Sequence, residues 1–160
     1  MDEVVATPPT IADYRPTQFG TIPWLIKHAE LEVGKRLDRE LRASGVTKAQ
    51  FGVLQALAHL KTASSAALAR TVFVSPQAMV GIIVGLERKG LIVRRASRAS
   101  ARMLEARVTP TGMEAYRNGK KAVTRVDDII SSEFDADEQV IFTSHLTRLV
   151  AALQKAKEER

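Results

Sequence analysis

Residues 75–108 restrict the fold of this chain more than any other stretch, because the hydrophobic period there changes from helical to alternating at one residue, Gly90. Ser75-Pro76 opens a helix, since Ser is a favoured N-cap and Pro fits the first helical position. Arg88-Lys89 followed by Gly90 closes it, because basic side chains suit the C-terminal dipole and Gly adopts the left-handed cap. At about 100° per residue, Met79, Ile82, Ile83 and Leu86 share one sector and face a core. The opposite sector displays Gln77, Val80, Gly81, Val84 and Arg88. Past Gly90, residues 91–95 read as a short strand, and Leu104, Ala106 and Val108 alternate with Met103, Glu105 and Arg107 in a second. Residues 96–102 then form a hairpin tip.

The flanking segments are helical. From Ile22 to Leu41 the apolar positions Ile22, Ile26, Ala29, Val33, Leu37 and Leu41 recur every three or four residues, and Ser44-Gly45 ends the run. Thr47 with Gln50 is a capping box, with Val46 and Phe51 as its hydrophobic staple, and Phe51, Leu54, Leu57 and Leu60 give a second helix its buried stripe. Ser64 caps a short third helix, 65–72, with Leu68 inward. Thr109-Pro110 opens a long helix to about Phe134, with Met113, Tyr116, Val123, Val126 and Ile130 at helical spacing. A last helix, 135–157, carries Val140, Phe142, Leu146, Leu149, Val150 and Leu153. Residues 1–20, with three of the six prolines, read as a flexible arm, and the chain shows no export signal, membrane anchor or transmembrane run. A cytoplasmic protein is expected.

Charge is unevenly placed. Arg88, Lys89, Arg94, Arg95, Arg98, Arg102 and Arg107 stand against Glu87 and Glu105, so residues 87–107 hold a net +5 of the chain's +6. Such clustering fits a phosphate-binding element better than a solvated loop. With no Cys among 160 residues, a disulfide scaffold, a thiolate nucleophile and a Cys-ligated zinc site are excluded. His28, His59 and His145 lie far apart, and neither a metal-ligand spacing nor a Gly-rich phosphate loop occurs, so no metal, no cofactor and no catalysis are expected.

Helix, helix, short helix, capped helix and basic hairpin make a mainly α fold with a small β-hairpin: a winged helix-turn-helix lobe at about 46–109. A helix fills the DNA major groove, its positive N-terminus favours phosphate, and an Arg-rich hairpin reaches the flanking backbone or minor groove. The long end helices, about 21–43 and 110–157, exceed what this lobe needs for its own core, and a twofold dimer explains their apolar faces. Residues 21–160 are thus expected to form one domain.

The run Gly45-Val46-Thr47, Gln50-Phe51, Val53-Leu54 and Leu57, then Leu68-Ala69-Arg70, Val74-Ser75-Pro76-Gln77-Ala78-Met79, Gly85-Leu86-Glu87-Arg88-Lys89-Gly90-Leu91 and Thr109-Pro110-Thr111-Gly112 resembles the MarR family of transcriptional regulators. The resemblance implies a homodimer whose two lobes read a pseudo-palindromic operator, usually as a repressor, with release by a small aromatic or anionic ligand. In the wing only Arg102 of Ser100-Ala101-Arg102 matches the family pattern, with Arg98 as a substitute.

DNA contacts are therefore expected from Ser64, Ser65, Ser75, Gln77, Ala78, Val80, Gly81, Arg88, Arg98, Ser100 and Arg102. Gln77 can pair bidentately with adenine and Val80 can touch a thymine methyl. The serines are caps first and phosphate contacts second. Trp24, His28 and Phe51 are candidate effector contacts, although a lone Trp at helical spacing also reads as dimer core. The apolar Val80, Gly81 and Val84 leave a second reading open: a dimeric ligand- or protein-binding module with weak or lost sequence-specific DNA recognition.

Overall fold

The computed structural model describes residues 21–97 and 104–158, with side chains described to Lys155. The elements are α1 (Thr21–Arg42), α2 (Lys48–Leu60), β1 (Ala63–Ser64), α3 (Ser65–Thr71), α4 (Pro76–Arg88), β2 (Ile92–Ala96), β3 (Leu104–Val108), α5 (Pro110–Ser131) and α6 (Ala136–Glu158). The chain divides into two units, Met1–Arg36 and Leu37–Arg160. In the first, the described part of α1 carries Lys27–Glu30 and Lys35–Glu32 ion pairs along its exposed side.

In the second unit each helix start is fixed by a side chain. The Gln50 amide N–H donates to Thr47 Oγ1 at 3.2 Å, and the Thr47 N–H donates to Gln50 Oε1 at 3.3 Å, closing the capping box. Ser64, Ser75 and Thr109 accept in the same way from the N–H groups of Ala67, Ala78 and Gly112. A second box, Asp135 with Glu138, starts α6. The sequence pattern placed the end of α5 near Phe134, whereas the helix stops at Ser131 because residues 132–134 turn ahead of this box.

These starts aim apolar faces at one core. Val53, Leu54, Leu57, Leu68, Met79, Ile83, Leu86 and Ile92 are essentially fully buried, and Val46 and Phe51 join them as the staple requires. Each such side chain contributes about 1.5–3 kcal/mol over leaving it exposed. Leu60 departs from the expected stripe: it is half exposed, because the chain turns off at Lys61, with φ 67°, and leaves the last turn of α2 uncovered.

The sheet order is β1-β3-β2, antiparallel throughout. Ile92 lies opposite Val108 and Ala96 opposite Leu104, which gives the expected hairpin. β1, pairing Ala63 with Ala106, is an addition that a two-residue strand gives no periodic signal for. Leu91, expected as a strand residue, instead completes a Schellman cap: its N–H donates to Leu86 O and that of Gly90, at φ 67°, to Glu87 O.

Two glycines admit the helix α5 into this arrangement. A Cβ on Gly112 would lie 1.9 Å from Leu91 O, and one on Gly119 would lie 2.5 Å from Phe51 Cδ2. Among the described residues no single helix is long and apolar enough to cross a membrane. We expect Gly112→Ala to lower stability by about 3 kcal/mol or more, since backbone must move to admit the methyl, and Thr109→Ala to cost about 1–2 kcal/mol through the lost cap. Urea unfolding followed by circular dichroism measures both.

Candidate nucleic-acid interface

α3 and α4 meet at a bend of 108°, the geometry of a helix-turn-helix. The turn between them places Phe73 in the left-handed region at φ 55°, with its ring 87% exposed. From this turn α4 projects Gln77, Ala78, Val80, Gly81, Val84 and Arg88 outward, all exposed, and keeps Met79, Ile83 and Leu86 inward, as the helical period requires. Ile82 is half-buried against the same core.

Ser75 Oγ accepts the Ala78 N–H at 3.1 Å and Ser64 Oγ accepts the Ala67 N–H at 3.3 Å. A cap of this kind uses a lone pair and leaves the hydroxyl proton, so each serine can hold its helix and still donate to a phosphate oxygen. Ser65 is the first residue of α3 and is half-buried.

The basic cluster separates into charges that build the fold and charges that face solvent. Arg94 on β2 pairs with Glu87 on α4 at 2.6 Å, tying the hairpin to the helix. The hydrogen bond from Arg94 holds the Glu87 carboxyl below its ordinary range and, in return, raises the Arg94 guanidinium. Lys89 Nζ donates to Gly45 O at 2.7 Å and to Gln50 Oε1 at 3.0 Å, latching the end of α4 to the start of α2. Gly85 leaves room for this latch, since a Cβ there would lie 3.0 Å from Gln50 Nε2. Arg88, Arg95 and Arg107 are exposed and make no ion pair among the described residues. At the outer end of the hairpin the Ser97 hydroxyl donates to Glu105 Oε1 at 2.7 Å. Arg98, Ser100 and Arg102 lie outside the described residues.

The residues singled out for an effector stand on two elements, Trp24 and His28 on α1 and Phe51 on α2. Trp24 and His28 stack on α1 with centroids 3.9 Å apart, and His28 Nδ1 is enclosed with no hydrogen-bond partner among the described residues. Phe51 is core: it stacks on Tyr116 at 5.8 Å and packs over Gly119. No group of three or more His, Asp or Glu side chains among the described residues is placed to hold a metal ion.

A capped reading helix set across a shorter one, with a two-stranded antiparallel hairpin fastened behind it, defines a winged helix-turn-helix DNA-binding protein. Residues 44–103 match the MarR family model. An HTH-type transcriptional repressor of Mycobacterium tuberculosis is 33% identical over 121 residues, covering 73% of this chain and 87% of that protein. The chain belongs to the MarR family of transcriptional regulators, a family of regulators and not of enzymes. Among solved structures, the transcriptional repressor CouR bound to a 23-mer DNA duplex is similar with a TM-score of 0.74 and 25% identity, covering 81% of this chain and 92% of that one. The organohalide-sensing regulator RdhR-CbdbA1625 in its 2,4-dichlorophenol-bound form shares the fold, with a TM-score of 0.71 and 18% identity over 93% of this chain and 88% of that one.

Sequence reading found the caps and the outward face of α4 but not the Lys89 latch, whose partners lie 44 and 39 residues away along the chain. Lys89→Met keeps the stem and removes both hydrogen bonds, so stability should fall by about 1–2 kcal/mol in urea unfolding. Because the folded Glu87 carboxyl is held low, the pair stabilises above the unfolded carboxylate pKa and the benefit fades as pH falls through the folded value. Glu87→Gln should therefore lower the melting temperature slightly at pH 7 and leave it unchanged at strongly acidic pH, the effect staying small for so exposed a pair.

Proposed function

We infer that this protein is a cytoplasmic, homodimeric repressor that binds a pseudo-palindromic operator and is released by a small aromatic or anionic effector. The observation that carries the reading is the exposed outer face of α4, capped by Ser75 and ending in the solvent-facing Arg88, with the exposed Arg95 and Arg107 on the hairpin that follows. In this reading residues 46–109 are the DNA lobe: Gln77, Ala78, Val80 and Gly81 enter the major groove, Ser64, Ser65, Ser75 and Arg88 contact the backbone, and Arg98, Ser100 and Arg102 serve the wing. Residues 21–43 and 110–157 form the dimer. Ile22, Leu25, Ile26 and Leu31 on α1 and Val140, Ile141, Leu146, Val150 and Leu153 on α6 are exposed in the single chain, an apolar surface that a second copy would cover. The Trp24–His28 pair supplies a ring surface and an unsatisfied imidazole nitrogen for an effector, consistent with the dichlorophenol-bound relative of the same fold.

The test is a binding titration against duplex DNA at several salt concentrations, with selected genomic fragments competing against random duplex. A repressor reading requires a clear preference for particular fragments, whereas salt-sensitive binding without preference would favour the ligand- or protein-binding module motivated by the valines of α4. Arg98→Ala and Arg102→Ala should each weaken binding to all sequences and reduce the salt slope by roughly one unit. Leu146→Glu with Val150→Glu should give a monomer in analytical ultracentrifugation that no longer binds operator. Trp24 emission should respond to at least one member of a panel of aromatic acids.

A further inference from the structure

Gly81 is the residue on the outer face of α4 for which the protein's interior supplies no reason. A glycine inside a helix is less stable there than Ala, because its backbone has more freedom to lose. The other α4 glycine, Gly85, is accounted for by the Gln50 amide beside it, but a Cβ on Gly81 would meet nothing within 4 Å. Gly81 is exposed, and the space a side chain would fill is open to solvent. Val80, 58% exposed, and Val84, 48% exposed, flank this gap, and Gln77 lies one turn before it. Gln77 to Val84 spans about 10 Å of helix, close to three base-pair steps. Exposed valines match only one group on the edges of major-groove base pairs, the 5-methyl of thymine.

We propose that Gly81 is a close-approach position: its missing side chain lets α4 seat deeply in the major groove, so that Val80 and Val84 rest on thymine methyl groups while Gln77 pairs with an adenine. The inference rests on the DNA-binding reading above and adds what the half-site must contain. Each half-site carries thymines where the valines land, and base selection comes mainly from apolar contact instead of hydrogen bonding.

The experiment selects an operator with the full chain from random duplexes, then rebuilds it with deoxyuridine replacing thymine at each half-site position, which keeps the hydrogen-bonding edge and removes only the methyl. Affinity should fall about fourfold per contacted methyl, from the transfer free energy of one buried methyl group. Val80→Ala and Val84→Ala proteins, altered at exposed positions, should lose the penalty at their own thymine. Gly81→Ala should raise the unfolding midpoint yet bind the operator about tenfold more weakly, with salt-dependent binding to random duplex retained. A purely structural glycine would not move stability and affinity in opposite directions. Equal binding of thymine and deoxyuridine operators, a selected half-site without thymine, or a Gly81→Ala protein that binds as tightly as the parent each overturns the inference and leaves the DNA-binding reading standing. Equal binding to every duplex overturns both.

Discussion

The carbonyl of Leu91 holds the DNA lobe together. It accepts the Thr109 N–H at 3.1 Å, lies 3.1 Å from the Thr109 hydroxyl, and occupies the place where Gly112 lacks a side chain. Leu91 is at once the residue that completes the cap of α4 and the one that precedes β2, while Thr109 follows β3 and caps α5. One residue therefore joins, through its N–H and its carbonyl, the end of α4, both strands of the hairpin and the start of the next long helix. The Thr109 hydroxyl sits 2.7 Å from Gly90 O as well, so the left-handed turn that stops α4 is held from the same side. With these carbonyls engaged, the helix end has few unsatisfied acceptors to bury.

Formal charge does not say which basic side chains of the lobe are free to turn toward a partner. Of the basic residues between Glu87 and Arg107, Arg94 is paired with Glu87, and Lys89 keeps its charge but has its ammonium anchored on Gly45 O and Gln50 Oε1. The exposed Arg88, Arg95 and Arg107 stand on two elements, helix and hairpin, that the Glu87–Arg94 pair fixes relative to each other. A pair of this exposure adds little to stability, yet it orients the strand that leads to the wing.

What the sequence made legible was whatever is local. Thr47, Ser64, Ser75 and Thr109 each act on an amide three residues away, so their spacing alone locates the helix starts. The Asp135–Glu138 box has the same spacing and marks the start of α6, whereas the end of α5 at Ser131 carries no such local signal. What stayed hidden depends on distant partners: β1 has only two residues, the Lys89 latch spans most of the lobe, and Leu60 keeps a helical spacing that no covering element honours. Phe51 shows the limit on the site itself, because an aromatic at helical spacing looks the same in sequence whether it lines a cavity or, as here, packs over Gly119.

The ladder between β2 and β3 pairs Ile92 with Val108 and Ala96 with Leu104, and the junctions that lead into β2 and out of β3 are each fixed by an atom that would have to move if a residue were added. Inserting one residue before Gly90 would rotate the cap away from Leu86, and inserting one between Val108 and Gly112 would push a side chain into Leu91 O. Where no atom fixes a register, lengthening a connection costs only loop-closure entropy, about 0.6 kcal/mol for each doubling, and neither of these junctions is of that kind. The spacing from the end of α4 through both strands to the start of α5 is therefore set by atoms in contact, so that α4, the hairpin and α5 keep one relative placement as a unit.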